Sequence, residues 1–501
     1  MTTNKLNIVL AASEVDPFSK TGGMADVLRS LPKALKQMGH NVSVFTPLYN
    51  FIDPNKYNLT KITKNKQLII DSSTTVSFDV WRGEIDGIVP VFFIEEKKFL
   101  SRDYGQDKKI YTGNFDNARF LIFNLAVISA IKELDLKPDI IQCHDWQTGL
   151  IPYFLHTKLK TDNYFNKVAS LYTIHNLTFQ MGNNWWEIPL EKREDGTGPI
   201  PSFSNQEGIR LINFAKRAIR FTDIINTVSE RYAEEIMTKK FGNTLHHLLK
   251  QRKNRVFGII NGIDYADWNP ATDPGLVAQY DYNNLANKTK NKLYLQKFLG
   301  LPEDPTIPVI GWTSRLTEQK GIELIIKIIE PLLRMNIQLV ILGEGTKRYE
   351  DFFKKMSKRH PKKIAAMLNF DNRKETMVLA GADIFLLPSR FEPCGLAQLK
   401  SLRYGAIPVV HAVGGLADTI SDYNPKTESG NGFVFKAYDP YDLLAAITRA
   451  LENHKHRDKW LKLVRRGMRQ SYDWKIPARK YIKLFRKTIK YHLDHHVKNQ
   501  S

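Results

Sequence analysis

The chain is predicted to fold as two doubly wound α/β domains, and three observations carry that expectation. Short, wholly apolar runs, as of strands buried on both faces of a parallel sheet, alternate with segments of helical spacing. Several of those runs end directly in polar or glycine-rich turns, the position at which open α/β sheets bind ligands. The signature Gly-Gly-x-Ala-Asp occurs twice, at 22–26 and 414–418, each time after a strand and opening a helix. At 501 residues the chain exceeds one ordinary core, so more than one domain is expected.

Composition narrows the class. An apolar share of 42% and a charged share of 25% suit a soluble globular protein. Met1 to Lys5 leads straight into a strand, without the pattern of a secretory signal, and no apolar run approaches the ~20 residues of a membrane span. Cys143 and Cys394 stand far apart in no Cys-x-x-Cys pattern, so reduced thiols in the cytoplasm are expected. Of the net charge of +21, residues 451–501 supply +11, which raises the question of an anionic partner. No nucleic-acid motif accompanies that charge. With Ile482, Phe485 and Ile489 at helical spacing, the segment reads as an amphipathic helix with a solvated basic face.

In chain order, the strand Leu6 to Ala12 is followed by Ser19-Lys20-Thr21-Gly22-Gly23-Met24-Ala25-Asp26. A helix through Leu28, Leu31 and Leu35 leads to a strand at Asn41 to Thr46. Paired glycines at a helix start let backbone approach a ligand, and Lys20 adds a positive charge. The pattern is not the Gly-x-Gly-x-x-Gly dinucleotide fingerprint. The strand Asp139 to Gln142 ends in Cys143-His144-Asp145-Trp146, and Val168 to Ile174 ends in His175-Asn176. Both deliver protonatable groups to one edge of one sheet; a zinc site of His144, Asp145 and His175 is an alternative without a supporting ligand pattern. Residues 181–208, rich in Gly, Pro, Asn and charge, read as a long loop whose Trp185-Trp186 pair serves sugar stacking or local packing. Ser229 is placed as an N-cap after the strand Ile224 to Val228. The domain boundary is set just before the strand Val256 to Ile260, which leads into Asn261-Gly262, with 271–292 as a polar connector.

A second alternation begins at Pro308. Val309 to Trp312 runs into a loop holding Arg315 and Lys320, two cations suited to clamp a diphosphate. Ile384 to Leu387 ends at Pro388, and the turn Ser389 to Gly395 presents Glu392 before a helix from Leu396. By itself Glu392 is either a carboxylate delivered to a crevice or a solvated cap of that helix. There is no Asp-x-Asp, no Walker loop and no nicotinamide fingerprint. A site of Lys20, Arg315, Lys320 and helix N-termini, with Glu392, His175 and Asp145 for hydroxyls, suits transfer from a nucleotide sugar without a metal.

KTGGMADV, HDW, TIHN, NGIDYADWNP, RLTEQKG, PSRFEPCGL and GGLADT, in that order, resemble the bacterial glycogen synthase and plant starch synthase family. The resemblance, from Leu6 to about Asp473, implies a GT-B fold: two Rossmann-like domains facing a deep interdomain cleft. The expected divisions are 1–253, 254–475, and a basic helix at 476–501 returning to the first domain. It implies retaining transfer of glucose from ADP-glucose to the non-reducing end of an α-1,4-glucan, with no cofactor, metal, membrane or nucleic acid. Oligomeric state is left open. Lys20, with Gly22 and Gly23, would contact the ADP-glucose phosphates, and Arg315 and Lys320 would stabilise the departing diphosphate. Glu392 would bind the glucose hydroxyls and the Cys394, Gly395 and Leu396 backbone the sugar and phosphate. His175 would sit beside the reacting glucose, Asn261 and Gly262 would line the site, and Phe370 would stack on adenine. Asp145, Trp146 and Asn176 would lie toward the acceptor.

Four departures follow. Lys400 stands where related glycosyltransferases carry a second Glu, Ala397 precedes Gln398 where Thr is common, the segment Asn372 to Met377 lacks the His residues common there, and 181–208 matches poorly. A GT-B transferase acting on a small sugar and a non-catalytic glucan binder remain as alternatives.

Overall fold

A computed structural model describes residues 5–101, 110–111, 113 and 115–497. The last four residues of the expected basic segment lie outside them. The chain divides into two compact units: residues 1–259 with 474–501, and 260–473.

In the first unit the strands are β1 (Asn7–Ala11), β2 (Asn41–Pro47), β3 (Thr60–Ile69), β4 (Thr75–Ile85), β5 (Val89–Glu95), β6 (Ile140–His144), β7 (Ala169–Ile174), β8 (Ile224–Thr227) and β9 (Val256–Gly258). They form one sheet in the order β3-β4-β5-β2-β1-β6-β7-β8-β9. It is parallel from β5 to β9, with β3 and β4 added antiparallel at one edge. The central strands are apolar throughout because helices cover both faces. The edge strand β3 alternates half-buried with exposed residues, and its lysines discourage pairing with another chain.

The helices Asp116–Glu133 and Phe214–Phe221 pack on one face through Phe120, Phe123, Phe214 and Ile219. The other face carries the helix Gly23–Gln37 and the C-terminal helix Lys475–His492. That last helix docks through Ala478, Tyr481, Leu484 and Phe485, and Tyr481 donates a 3.0 Å hydrogen bond to Asn226 Oδ1. Of the three residues expected on its apolar side, Phe485 is buried, and Ile482 and Ile489 are partly buried against the same core.

The second unit holds β10 (Val309–Thr313), β11 (Gln338–Leu342), β12 (Ile364–Met367), β13 (Ile384–Leu387), β14 (Ile407–His411) and β15 (Phe433–Phe435). All pair parallel, in the order β12-β11-β10-β13-β14-β15. This order reverses between β10 and β13, and the first sheet reverses between β1 and β6. Crevices open at such reversals, outside the carboxyl ends of the strands.

Two expectations are corrected. The strand Val256–Gly258, placed at the head of the second domain, pairs with β8 and ends the first sheet; the division falls at Ile259/Ile260. The polar connector 271–292 contains the start of a helix, Ala286–Phe298, whose inward face is Asn291, Lys292, Leu295 and Gln296. Three of those four are polar, so hydropathy gave no periodic signal. Their polar atoms are satisfied locally, as where Lys292 meets Asp383 at 2.7 Å.

Candidate functional site

In the second unit the reversal gathers the loop after β10 and the turn after β13. Glu392, buried, accepts a 2.6 Å charge-assisted bond from Lys320 Nζ and a 3.0 Å bond from Ser389 Oγ. Ser389 is positioned in turn by its carbonyl, 2.7 Å from His411 Nδ1 at the end of β14. Arg390 N–H donates to the Gln319 carbonyl at 2.9 Å, joining the two loops by backbone as well. Of the two readings left open for Glu392, a solvated cap is excluded. Its carboxylate points inward to a lysine from the neighbouring strand end, and the helix Ala397–Arg403 has no side-chain cap.

Close packing explains the glycines around this turn. A Cβ on Gly321, at φ +73°, would lie 2.0 Å from the Pro388 carbonyl oxygen. On Gly414 and Gly415 it would lie 2.0 Å from the Glu392 and Cys394 carbonyl oxygens, respectively. The GGLADT loop is therefore a backing against which the Glu392 turn rests. Cys394 is buried, and burial pushes its thiol up to about 12, so it serves as an apolar filler. Gly395 adopts φ +69°, and Leu396 N-caps the following helix, partly buried. Asn261 and Gly262 are buried, and Asn261 Oδ1 has no hydrogen-bond partner among the described residues. A buried acceptor left unpaired suits a ligand hydroxyl. Arg315 is exposed, and Phe370 presents a ring that is 45% exposed beside Asp371, the N-cap of the helix Asn372–Gly381. Lys400 bonds Glu375 at 3.1 Å and lies 3.5 Å from the Trp268 ring centroid, so it is held as part of the framework.

The first unit builds its own strand-end cluster. Asp145, directly after β6, has φ +55° and ψ −178°, a region close to glycine-only. Such a conformation costs about 1–3 kcal/mol and persists where surroundings impose it, most often at functional sites. Here the Asp145 carboxylate accepts the backbone N–H groups of His175 at 2.7 Å and Asn176 at 3.4 Å, tying the ends of β6 and β7. Desolvation raises Asp145 to about 7 despite those bonds, with the Glu14 charge adding to the rise. The same desolvation lowers His175 to about 3, which keeps its imidazole neutral. His144 Nδ1 and His175 Nε2 are hydrogen-bonded to each other at 2.9 Å. Among the described residues, His144, Asp145 and His175 do not bring one ligand atom each within 4.8 Å of one another, so the zinc alternative has no site here.

Lys20 pairs with Asp26 at 2.6 Å, both partly exposed. Glu14, 3% exposed, was not singled out from sequence. Its carboxylate accepts Thr21 N–H at 2.5 Å, Thr21 Oγ1–H at 2.6 Å, Gly22 N–H at 3.2 Å and the Tyr111 hydroxyl at 2.5 Å. It lies in the loop after β1, three residues beyond Ala11, and extending the strand-end rule that drew attention to Asp145 into that loop finds it. A Cβ on Gly22 would meet nothing within 4 Å, and Gly23 opens the helix behind it. Trp146, expected toward the acceptor, is corrected to a core position. It is 4% exposed, edge-on to Phe120 at 5.2 Å and to Phe214 at 5.8 Å. In the loop 181–208, Trp185 is anchored by its Nε1–H to the Thr178 carbonyl at 3.1 Å, while Trp186 stays 48% exposed.

Two doubly wound α/β units with polar clusters at their strand ends fit the GT-B class of glycosyltransferases, and the comparisons place the chain in it. Residues 7–251 match the starch synthase catalytic domain family and residues 296–466 match glycosyl transferases group 1. The glycogen synthase of Pseudothermotoga lettingae is 39% identical over 97% of this chain and 99% of its own length. That of Syntrophotalea carbinolica is 39% identical over 97% and 100%. The catalytic domain of starch synthase IV from Arabidopsis thaliana, solved bound to ADP and acarbose, superposes with a TM-score of 0.84. It is 31% identical, covering 97% of this chain and 100% of that one. A sucrose-phosphate synthase from Thermosynechococcus elongatus, at 17% identity and a TM-score of 0.61, shares the fold. The chain belongs to the glycogen synthase and starch synthase family. It is a glucosyltransferase of glycogen synthesis.

Proposed function

We propose that the donor is ADP-glucose and the acceptor the non-reducing end of an α-1,4-glucan, with retention at the anomeric carbon and release of ADP in the cytoplasm. The observation that carries this reading is the Lys320–Glu392 pair, 2.6 Å apart at the reversal of the second sheet. It sets a cation for the phosphate beside a carboxylate for the sugar. Arg315 and Lys320 stabilise the charge that develops on the departing diphosphate, and Lys20 meets the ADP-glucose phosphates. These cations do the work that a metal does in other transferases. Glu392 and Asn261 hold glucose hydroxyls, with Gly262, Cys394, Gly395 and Leu396 supplying backbone around them. The ring of Phe370 stacks on adenine.

Asp145, Asn176 and neutral His175 face the reacting glucose and the acceptor. The acceptor hydroxyl attacks from the face the diphosphate leaves, so no covalent nucleophile is required. Gly22 and Gly23 leave room for the donor, and Trp146 supports Asp145 from the core.

The test is transfer of label from ADP-glucose or UDP-glucose into glycogen, with chelator present. Label entering polymer from ADP-glucose is the expected result. Turnover only with a small sugar acceptor, or binding without turnover, would reject it.

A further inference from the structure

The candidate site residues lie at the carboxyl ends of the strands. A second buried cluster of titratable side chains lies at the opposite, amino edge of the first sheet and takes no part in that chemistry. It joins His156, the last residue of the helix Leu150–His156, Asp223, just before β8, and His492, the last residue of the C-terminal helix. Their side chains are 9%, 0% and 6% exposed. We propose that His156, Asp223 and His492 form a structural site for a zinc-class divalent cation that fastens the C-terminal helix to the amino edge of the first sheet.

Geometry and donor chemistry both point there. His156 Nε2 is 3.4 Å from Asp223 Oδ2, and His492 Nδ1 is 3.1 Å from each Asp223 oxygen. One ligand atom from each residue lies within 4.8 Å of the others. A tetrahedral zinc with bonds of about 2.0–2.1 Å separates its ligand atoms by about 3.3 Å, so two of the three edges are already near their final length. Two imidazoles and one carboxylate suit zinc and its neighbours, whereas calcium and magnesium demand more oxygen. Three protein ligands leave one position for water.

The surrounding groups are those that orient metal ligands. His492 Nε2 is 3.1 Å from the Asn166 carbonyl, which takes the proton there and turns Nδ1 toward the cluster. Ser170 fixes Asp223 Oδ2 with its backbone N–H at 2.7 Å and its Oγ–H at 2.9 Å, and the same Oγ lies 3.2 Å from His156 Nε2, a contact that a bound ion would replace. The ligands come from three separate segments, so an ion here is a cross-link that only the folded chain offers.

The experiment uses the full chain, stripped with chelator and titrated with zinc by calorimetry and with cobalt by visible absorption, alongside thermal unfolding. The expected result is one equivalent bound, low-coordinate cobalt bands and a raised Tm. His156→Asn and His492→Asn should each lose all three while keeping glucosyl transfer. No uptake by the unsubstituted chain would overturn the proposal and leave direct contacts of His156 and His492 with Asp223 as what the cluster provides. Equal uptake by both variants would overturn it too, placing the ion elsewhere, for instance at the adjacent rings of His246 and His247. Should His492→Asn fail to fold, His156→Asn decides the matter alone.

Discussion

The two Gly-Gly-x-Ala-Asp loops share five letters and do different work. In the second unit, Gly414 and Gly415 are glycine because the Glu392–Cys394 backbone presses on them, with carbonyl oxygens 2.0 Å from where each Cβ would be. In the first unit a Cβ on Gly22 meets open space, and the loop's N–H groups are gathered onto Glu14 instead. One loop is a mould for the Glu392 turn of its own chain. The other keeps a surface clear. Short motifs therefore report that backbone must come close to something, and the surroundings decide whether that something is ligand or protein.

The largest expected effect tests what the second loop supports. Glu392→Ala should lower turnover by about 10²–10³-fold, the scale of losing a positioned transition-state contact, with the circular dichroism spectrum unchanged. A near-normal rate would remove Glu392 from the site. Gly415→Ala should cost roughly 2–4 kcal/mol in urea unfolding, because its Cβ meets backbone that cannot rotate away. An unshifted midpoint would break the comparison on the second-unit side.

On the first-unit side, Glu14→Ala removes the buried carboxylate that accepts the N–H groups of Thr21 and Gly22, and should cost roughly 1.5–3 kcal/mol, the scale of hydrogen bonds to a charged group. Gly22→Ala should change stability by less than about 0.5 kcal/mol and raise the KM for ADP-glucose; a large loss of stability would mean that the loop is packed after all.

The pH dependence of Asp145 is the finest test. Its carboxyl is raised to about 7, so relative to an unperturbed group it adds stability below the ordinary carboxylate range, and that stability is lost as pH rises through about 7. The stability difference between the unsubstituted chain and Asp145→Asn should thus fall from pH 4 to 7 and level off above. A flat difference would show that Asp145 ionises normally.

Much of this molecule was legible in its letters. Apolar runs such as Ile384–Leu387 located the central parallel strands because both faces of such strands are covered, so every residue must be apolar. The strand-end rule located Asp145, His175, Arg315, Lys320 and Glu392, since chain order alone puts the residue after a strand at the sheet edge. It was less able to place β9, whose three residues are too short a run to show to which sheet they belong. The family resemblance placed Trp146 toward the acceptor, whereas its ring packs between Phe120 and Phe214, which neighbouring letters do not reveal.

Pattern along the chain specified which elements form, in what order, and which of them end in chemistry, because those follow from local periodicity and covalent sequence. Pairing across the chain was decided only in three dimensions. That Lys320 reaches Glu392, 72 positions away, that Asp145 is held in an unfavourable conformation by the backbone of His175, and that His492 meets Asp223 are long-range contacts. Packing geometry selects such partners, and spacing in the sequence carries no record of them.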